Sequence, residues 1–139
     1  MSISGRFMHR KDRNFSAQSG LKALGRLKAG EMNKTEAAYA ASLEERRLAG
    51  DVLSWQFESV TLAIGGGVRY TPDFMVMTSD REIQFHEVKG SRAIFEDDAK
   101  VKFKVAASAF PMFHFFVAFS RSKSSGGGFD VEEAACRIA

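Results

Sequence analysis

The chain has little cysteine and no long apolar run, and both absences narrow what it can be. Cys136 is the single cysteine in 139 residues, which excludes an internal disulfide and any multi-cysteine zinc site. The longest apolar run, Phe113 to Phe119, is interrupted by His114 and falls far short of the roughly 20 residues that a membrane-spanning helix needs. No apolar stretch of about 7–15 residues follows the N-terminal basic residues, so a secretory signal is not expected and a cytoplasmic location is. Gly65-Gly66-Gly67 lacks the Lys-Ser/Thr of a phosphate-binding loop and reads as a hairpin turn. Internal repeats are also lacking.

What is present is asymmetric charge. The net charge is +3, but Met1 to Lys34 holds eight Lys/Arg (Arg6, Arg10, Lys11, Arg13, Lys22, Arg26, Lys28, Lys34) against Asp12 and Glu31. The remainder is mildly acidic. Residues 1–32 are therefore expected to form a basic arm, flexible until it meets a polyanion, ahead of one folded domain over 33–139. The size is that of a single domain able to bury a core.

Local signals order the domain. Asn33 is a good N-cap for a helix from Lys34 to Ala49, whose stripe is Ala40, Leu43, Arg47 and Leu48, and Gly50 is its stop. Val52 to Ile64 reads as a strand, Gly65-Gly66-Gly67 as a turn, and Val68 to Met77 as the next strand. Glu82 to Lys89 gives a third strand. A second helix runs from Ile94 or Phe95 to Ala109 on an Ala99, Phe103, Ala106, Ala107 stripe, with Asp97 and Asp98 placed for its dipole. Met112 to Phe119 is apolar on both faces, as a strand covered on both sides must be. Ser120 to Gly128 is a polar loop, and Phe129 to Ala139 is compatible with a short strand or helix. The fold class is α/β: an α-β-β-β-α-β core with a mixed central sheet flanked by helices, its third and fourth strands joined by a crossover of the length parallel strands need.

The chemistry lies in Pro72-Asp73 and, fourteen positions after that aspartate, Glu87-Val88-Lys89. Glu87 and Lys89 are two apart on a strand, so they share a face. Asp73 falls roughly opposite them on the neighbouring antiparallel strand. Pro72 suits an edge or bulged position. Phosphodiester hydrolysis needs an activated water and stabilisation of charge on phosphorus and the leaving oxygen, which divalent metals supply. Mg²⁺ asks for few carboxylates and open positions. Asp73 and Glu87 can hold it, with the Val88 backbone carbonyl facing it. Lys89 can orient or deprotonate water and offset phosphate charge. Glu36, in the first helical turn, can complete the shell directly or through water.

These motifs resemble the PD-(D/E)XK phosphodiesterase superfamily, which includes restriction enzymes, recombination exonucleases and Holliday-junction resolvases. The resemblance covers roughly residues 33–119, with Pro72-Asp73, Glu87-x-Lys89, and Glu36 on the preceding helix. Within it the chain is similar to small phage-encoded endonucleases through Asn33-Lys34-Thr35-Glu36-Ala37, Tyr70-x-Pro72-Asp73-Phe74 and Glu87-Val88-Lys89-Gly90. The resemblance implies a restriction-endonuclease-like fold and Mg²⁺-dependent (or Mn²⁺-dependent) DNA cleavage in the host-cell cytoplasm. Asp73 and Glu87 would be metal ligands, Lys89 the catalytic lysine and Glu36 a further acid. Branched DNA such as a Holliday junction is the implied substrate, recognised by structure rather than sequence, and cutting two strands symmetrically calls for a homodimer. The alternative is a non-catalytic nucleic-acid-binding module of a replication, recombination or packaging assembly.

Weaker features have ordinary readings. Lys100, Lys102 and Lys104 on the second helix are candidate phosphate contacts, though a solvated face explains them as well. Glu58 reads as a surface strand residue. His86 is expected to face away from Glu87. His114, among phenylalanines, reads as structural, and the phenylalanine-rich strand as core.

Overall fold

A computed structural model describes residues 30–95 and 97–134. Helix α1 spans Lys34–Leu48 and begins with a reciprocal cap: Asn33 Oδ1 accepts from Glu36 N–H and Glu36 Oε1 accepts from Asn33 N–H, each at 2.8 Å. Two otherwise orphaned backbone donors are satisfied this way. Gly50 follows the helix with φ +90°, the left-handed stop that glycine adopts freely. The helix buries Tyr39, Ala40 and Leu43, while Leu48 is 74% exposed. The expected place of Leu48 on the buried stripe is thus wrong. At about 100° per residue it lies roughly 180° around the helix from Tyr39, which with Ala40 and Leu43 sets the contact face.

The strands are β1 (Val52–Phe57), β2 (Leu62–Gly65), β3 (Val68–Tyr70), β4 (Phe74–Thr78), β5 (Ile83–Lys89), β6 (His114–Ser120) and β7 (Phe129–Glu133). Helix α2 (Asp97–Ala109) carries the chain from β5 to β6. The α/β class holds: a mixed five-stranded sheet is ordered β1-β4-β5-β6-β7, antiparallel except for the parallel β5–β6 pair that the crossover helix makes possible. β2 and β3 form a separate two-stranded ribbon closed by Gly65-Gly66-Gly67.

Two runs expected as single strands are each divided. The first breaks where Glu58 adopts φ +45°, a left-handed backbone that is costly for a side chain with a Cβ. The second breaks at Thr71-Pro72-Asp73, where Pro72 has no N–H for a ladder. Together the breaks lift the β2–β3 ribbon off the main sheet and fold it over one face. The C-terminal stretch contributes β7, which pairs with β6 through Val117↔Glu132 and Phe119↔Asp130.

The sheet has a core on each side. α1 covers Phe74, Val76, Val88 and Ala118 on one face, with Val52 and Trp55. The ribbon and α2 cover Phe85, Phe115, Val117 and Phe119 on the other, contributing Leu62, Tyr70, Phe103, Ala106 and Ala107. β6 is therefore buried on both faces, as its composition requires. Met32 packs against the α1-side core, so the arm's last residues lie on the body.

Candidate active site

The site forms where β4 and β5 part. Their ladder ends at the Phe74↔His86 pair. Beyond it, the Asp73 side chain replaces backbone pairing: its Oδ2 accepts the Val88 N–H at 2.8 Å. An extended residue directs its N–H and C=O to the same strand edge, so the Val88 carbonyl opens into the same gap. Phe74 packs on the α1 side, and alternation puts Asp73 on the other face. Glu87 and Lys89 share that face, and Lys89 Nζ lies 3.1 Å from Glu87 Oε2. Asp73 is 8% exposed and Glu87 7%, deep for charged side chains.

Tyr70 had no role assigned from sequence. At the end of β3, its hydroxyl donates to Glu87 Oε1 at 2.6 Å. The folded-over ribbon thus fixes a carboxylate on β5. Burial first, then the Glu87 charge and hydrogen bond, then Asp73, push the Tyr70 hydroxyl pKa far up, so it remains a donor. The available signal was Tyr70's place in the same short motif as Asp73, but its partner is seventeen residues away.

The electrostatics show an excess of negative charge. Burial raises the Asp73 pKa, and Glu87 and then Glu36 raise it further, against the Val88 N–H and Lys89, to about 8. Glu36 is raised mainly by burial, then by Glu58 and Glu87, against the Asn33 N–H and Lys89. Burial opposes the Lys89 charge, but Glu87, Asp73 and Glu36 outweigh it and raise its pKa. Lys89 is accordingly an ammonium group that can orient water and offset phosphate charge, rather than a base. Glu58 enters this field from the break after β1. Its backbone N–H donates to the Asp73 carbonyl at 2.8 Å and its Oε1 accepts from Gly30 N–H at 2.8 Å. It lies beside Asp73 rather than on a strand surface.

Among the described residues, no three His, Cys, Asp or Glu side chains converge as a metal cage. The donors suit a cation that keeps most of its waters, as Mg²⁺ does with one or two carboxylates. Asp73 and Glu87 offer hard oxygens, and the burial and repulsion that raise the Asp73 pKa to about 8 are what a divalent ion would offset.

The other predicted positions are dispersed. Lys102 Nζ lies 3.6 Å from Asp98 Oδ2. Lys100 and Lys104 line a cleft beside α2, and Lys34 is exposed in the first turn of α1. Arg6, Arg10, Lys11, Arg13, Lys22, Arg26 and Lys28 lie outside the described residues. His86 faces away from Glu87, as expected, and meets Tyr39 on the α1 side. His114 does not sit in the core. It is exposed at the start of β6, with Nδ1 2.8 Å from Glu133 Oε2, because it lies at the strand's end, beyond the part of that face where Ala118 is buried under α1.

The chain matches no known family model, no curated protein and no solved structure.

Proposed function

We propose that the protein is a metal-dependent DNA endonuclease with a restriction-endonuclease-like core, acting in the cytoplasm on DNA selected by structure. The observation that carries this reading is the Asp73–Glu87–Lys89 group on one sheet face, its two carboxylates buried and its lysine half-buried, with Glu36 adding charge to it. Such a group costs stability, and a module that only binds DNA has no use for it.

Asp73, Glu87 and the Val88 carbonyl would hold Mg²⁺, or Mn²⁺ in its place, with Glu36 reaching it through water. When bound, the metal supplies activation of water and neutralisation of phosphate charge. The chain's own groups do the positioning. The Val88 N–H fixes one Asp73 oxygen and Tyr70 fixes one Glu87 oxygen. Lys89 presents an ammonium to the attacking water and the phosphate. The basic arm adds phosphate contacts that weaken steeply with salt. A homodimer places two such sites on the two strands of a branch.

Incubation of supercoiled plasmid and four-way-junction DNA with Mg²⁺, Mn²⁺, Ca²⁺ or EDTA tests the reading. Cleavage is expected with Mg²⁺ and Mn²⁺, and Lys89→Ala should slow it by about 10²–10³-fold. Equal behaviour of wild type and Lys89→Ala on every substrate would overturn the nuclease reading. Equal cutting of junctions and linear duplex would remove only the branched-DNA preference.

A further inference from the structure

A cleft of about 690 Å³ lies between α2 and the β6–β7 edge. The phosphodiesterase chemistry does not use it. Its floor is apolar, formed by Phe95, Phe103, Val117 and Phe119. Its mouth carries Arg92, Lys100 and Lys104. The Arg92 guanidinium lies 4.5 Å from the Phe119 ring centroid, and Lys100 Nζ lies 5.9 Å from that of Phe95. The two acids at the rim already have partners: Glu132 pairs with Arg92, and Glu133 with His114. Among the described residues, Lys100 and Lys104 have no carboxylate within ion-pair distance.

The cleft floor also lies on the strand next to the candidate site. Glu87 pairs with Val117 and Lys89 with Phe119 in the parallel β5–β6 register. Paired residues share a sheet face, and adjacent strands are about 4.8 Å apart. The floor therefore begins one strand away from Glu87 and Lys89.

We propose that this cleft receives an unpaired nucleotide flanking the scissile phosphate, so that the substrate is DNA opened beside the cut rather than continuous duplex. This rests on the endonuclease reading and names its substrate class. An apolar floor takes the face of any base, and the lysines at the mouth take its phosphates. A purely apolar partner would leave both ammonium groups without countercharge. A base that stays stacked and paired cannot reach a floor recessed between a helix and a sheet edge.

The test compares a linear duplex with the same duplex carrying unpaired nucleotides beside the cut, in Mg²⁺. Binding of a single strand of about 12 nucleotides in EDTA is followed in parallel by fluorescence anisotropy. Two variants probe the cleft: Ser108→Trp, at an exposed position lining it, and the double change Lys100→Glu/Lys104→Glu. Wild type should cut the opened duplex about tenfold faster or more, and both variants should bring the ratio near one. They should also weaken single-strand binding by about 5- to 100-fold. The exposed lysine pair keeps the test decisive if Ser108→Trp melts early.

No preference in wild type, or a preference that survives both variants, would overturn the proposal while leaving the nuclease standing. Absence of all cleavage would instead remove the nuclease. Single-strand binding then decides the cleft alone: loss in the variants supports a nucleotide site, and unchanged binding overturns it. A wild-type dimer that Ser108→Trp dissociates with single-strand binding intact would assign the cleft to a second copy and also overturn the proposal.

Discussion

His86 and Glu87 are neighbours on β5, both buried, and each is held by one of the chain's two tyrosines. The Tyr39 hydroxyl lies 2.5 Å from His86 Nδ1 on the α1 side, and the Tyr70 hydroxyl donates to Glu87 Oε1 on the other. The results are opposite. Gln84 Oε1 lies 2.9 Å from His86 Nε2 and can only accept, so Nε2 carries the proton and Nδ1 accepts from Tyr39. Neutral imidazole is fully satisfied, and burial, helped by Arg46, lowers its pKa to about 3. Burial raises the Tyr39 pKa to about 12, so the donor stays protonated. Glu87 has a donor too, but it shares its face with Asp73 and lies within the field of Glu36, and that face remains short of positive charge. One side of the strand is a closed polar pair built for stability. The other is a group with more carboxylates than cations, strained where the first is satisfied.

The sharpest way to break this comparison is Asp73→Asn. On the nuclease reading it lowers cleavage by about 10³-fold, since several kcal/mol of charge stabilisation depends on the metal ligands. Yet it should stabilise the metal-free protein. The folded Asp73 pKa, about 8, exceeds its ordinary 3.8. Between those values the folded state holds a proton that the unfolded state has lost, so stability falls as pH rises through the window. Asparagine cannot ionise and escapes that loss. A Tm higher by about 5 °C at pH 8, vanishing near pH 4, is expected by calorimetry in EDTA. A variant less stable at pH 8 would mean that Asp73 is a structural hydrogen-bonding residue and not a strained ligand.

Much of this arrangement was legible because its signals are local. Asn33 and Gly50 end α1 through capping rules that act within a few residues, and the two-residue strand period puts Glu87 and Lys89 on one face and His86 on the other. What escaped depends on distance or on backbone conformation. The run Val52 to Ile64 remains β-like in composition across Glu58, so nothing in it announces that the chain changes sheets. Tyr70 reaches Glu87 only because Thr71-Pro72-Asp73 turns the ribbon back over the sheet. Leu48 misleads because a hydrophobic residue near the right period suggests burial, yet it is 74% exposed. The face is set by Tyr39, whose polar hydroxyl hides its role in the core.

The α1 side should respond in stability, with the opposite pH sign. The His86 pKa is lowered from 6.5 to about 3, so below 6.5 the unfolded chain takes up a proton that the folded one refuses. This contribution is complete above pH 6.5 and is lost as pH falls towards 3. Between pH 6.5 and about 5 it amounts to at most about 2 kcal/mol. His86→Leu should flatten that part of the denaturation profile. It should also cost about 2–3 kcal/mol at pH 7, because the Tyr39 hydroxyl loses its partner in the core. Adding Tyr39→Phe should recover most of the loss, as expected when both members of a buried polar pair are replaced. No recovery would mean that shape, not the hydrogen bond, holds His86.

The smallest effect expected is from Tyr70→Phe, and it separates the two tyrosines most cleanly. The substitution keeps the ring in the ribbon-side core and removes only the donor to Glu87. That carboxylate still has Lys89 at 3.1 Å, so stability should change by only about 1–2 kcal/mol. What it loses is a fixed orientation, and losing a group that orients a ligand typically weakens metal binding by about 10–100-fold. Mn²⁺ titration by calorimetry should show that loss for Tyr70→Phe and none for Tyr39→Phe, while urea melts should show the reverse ranking. If both substitutions lowered stability and neither altered Mn²⁺ affinity, the two faces of β5 would be alike, and Glu87 would be a buried acid held for packing, as His86 is.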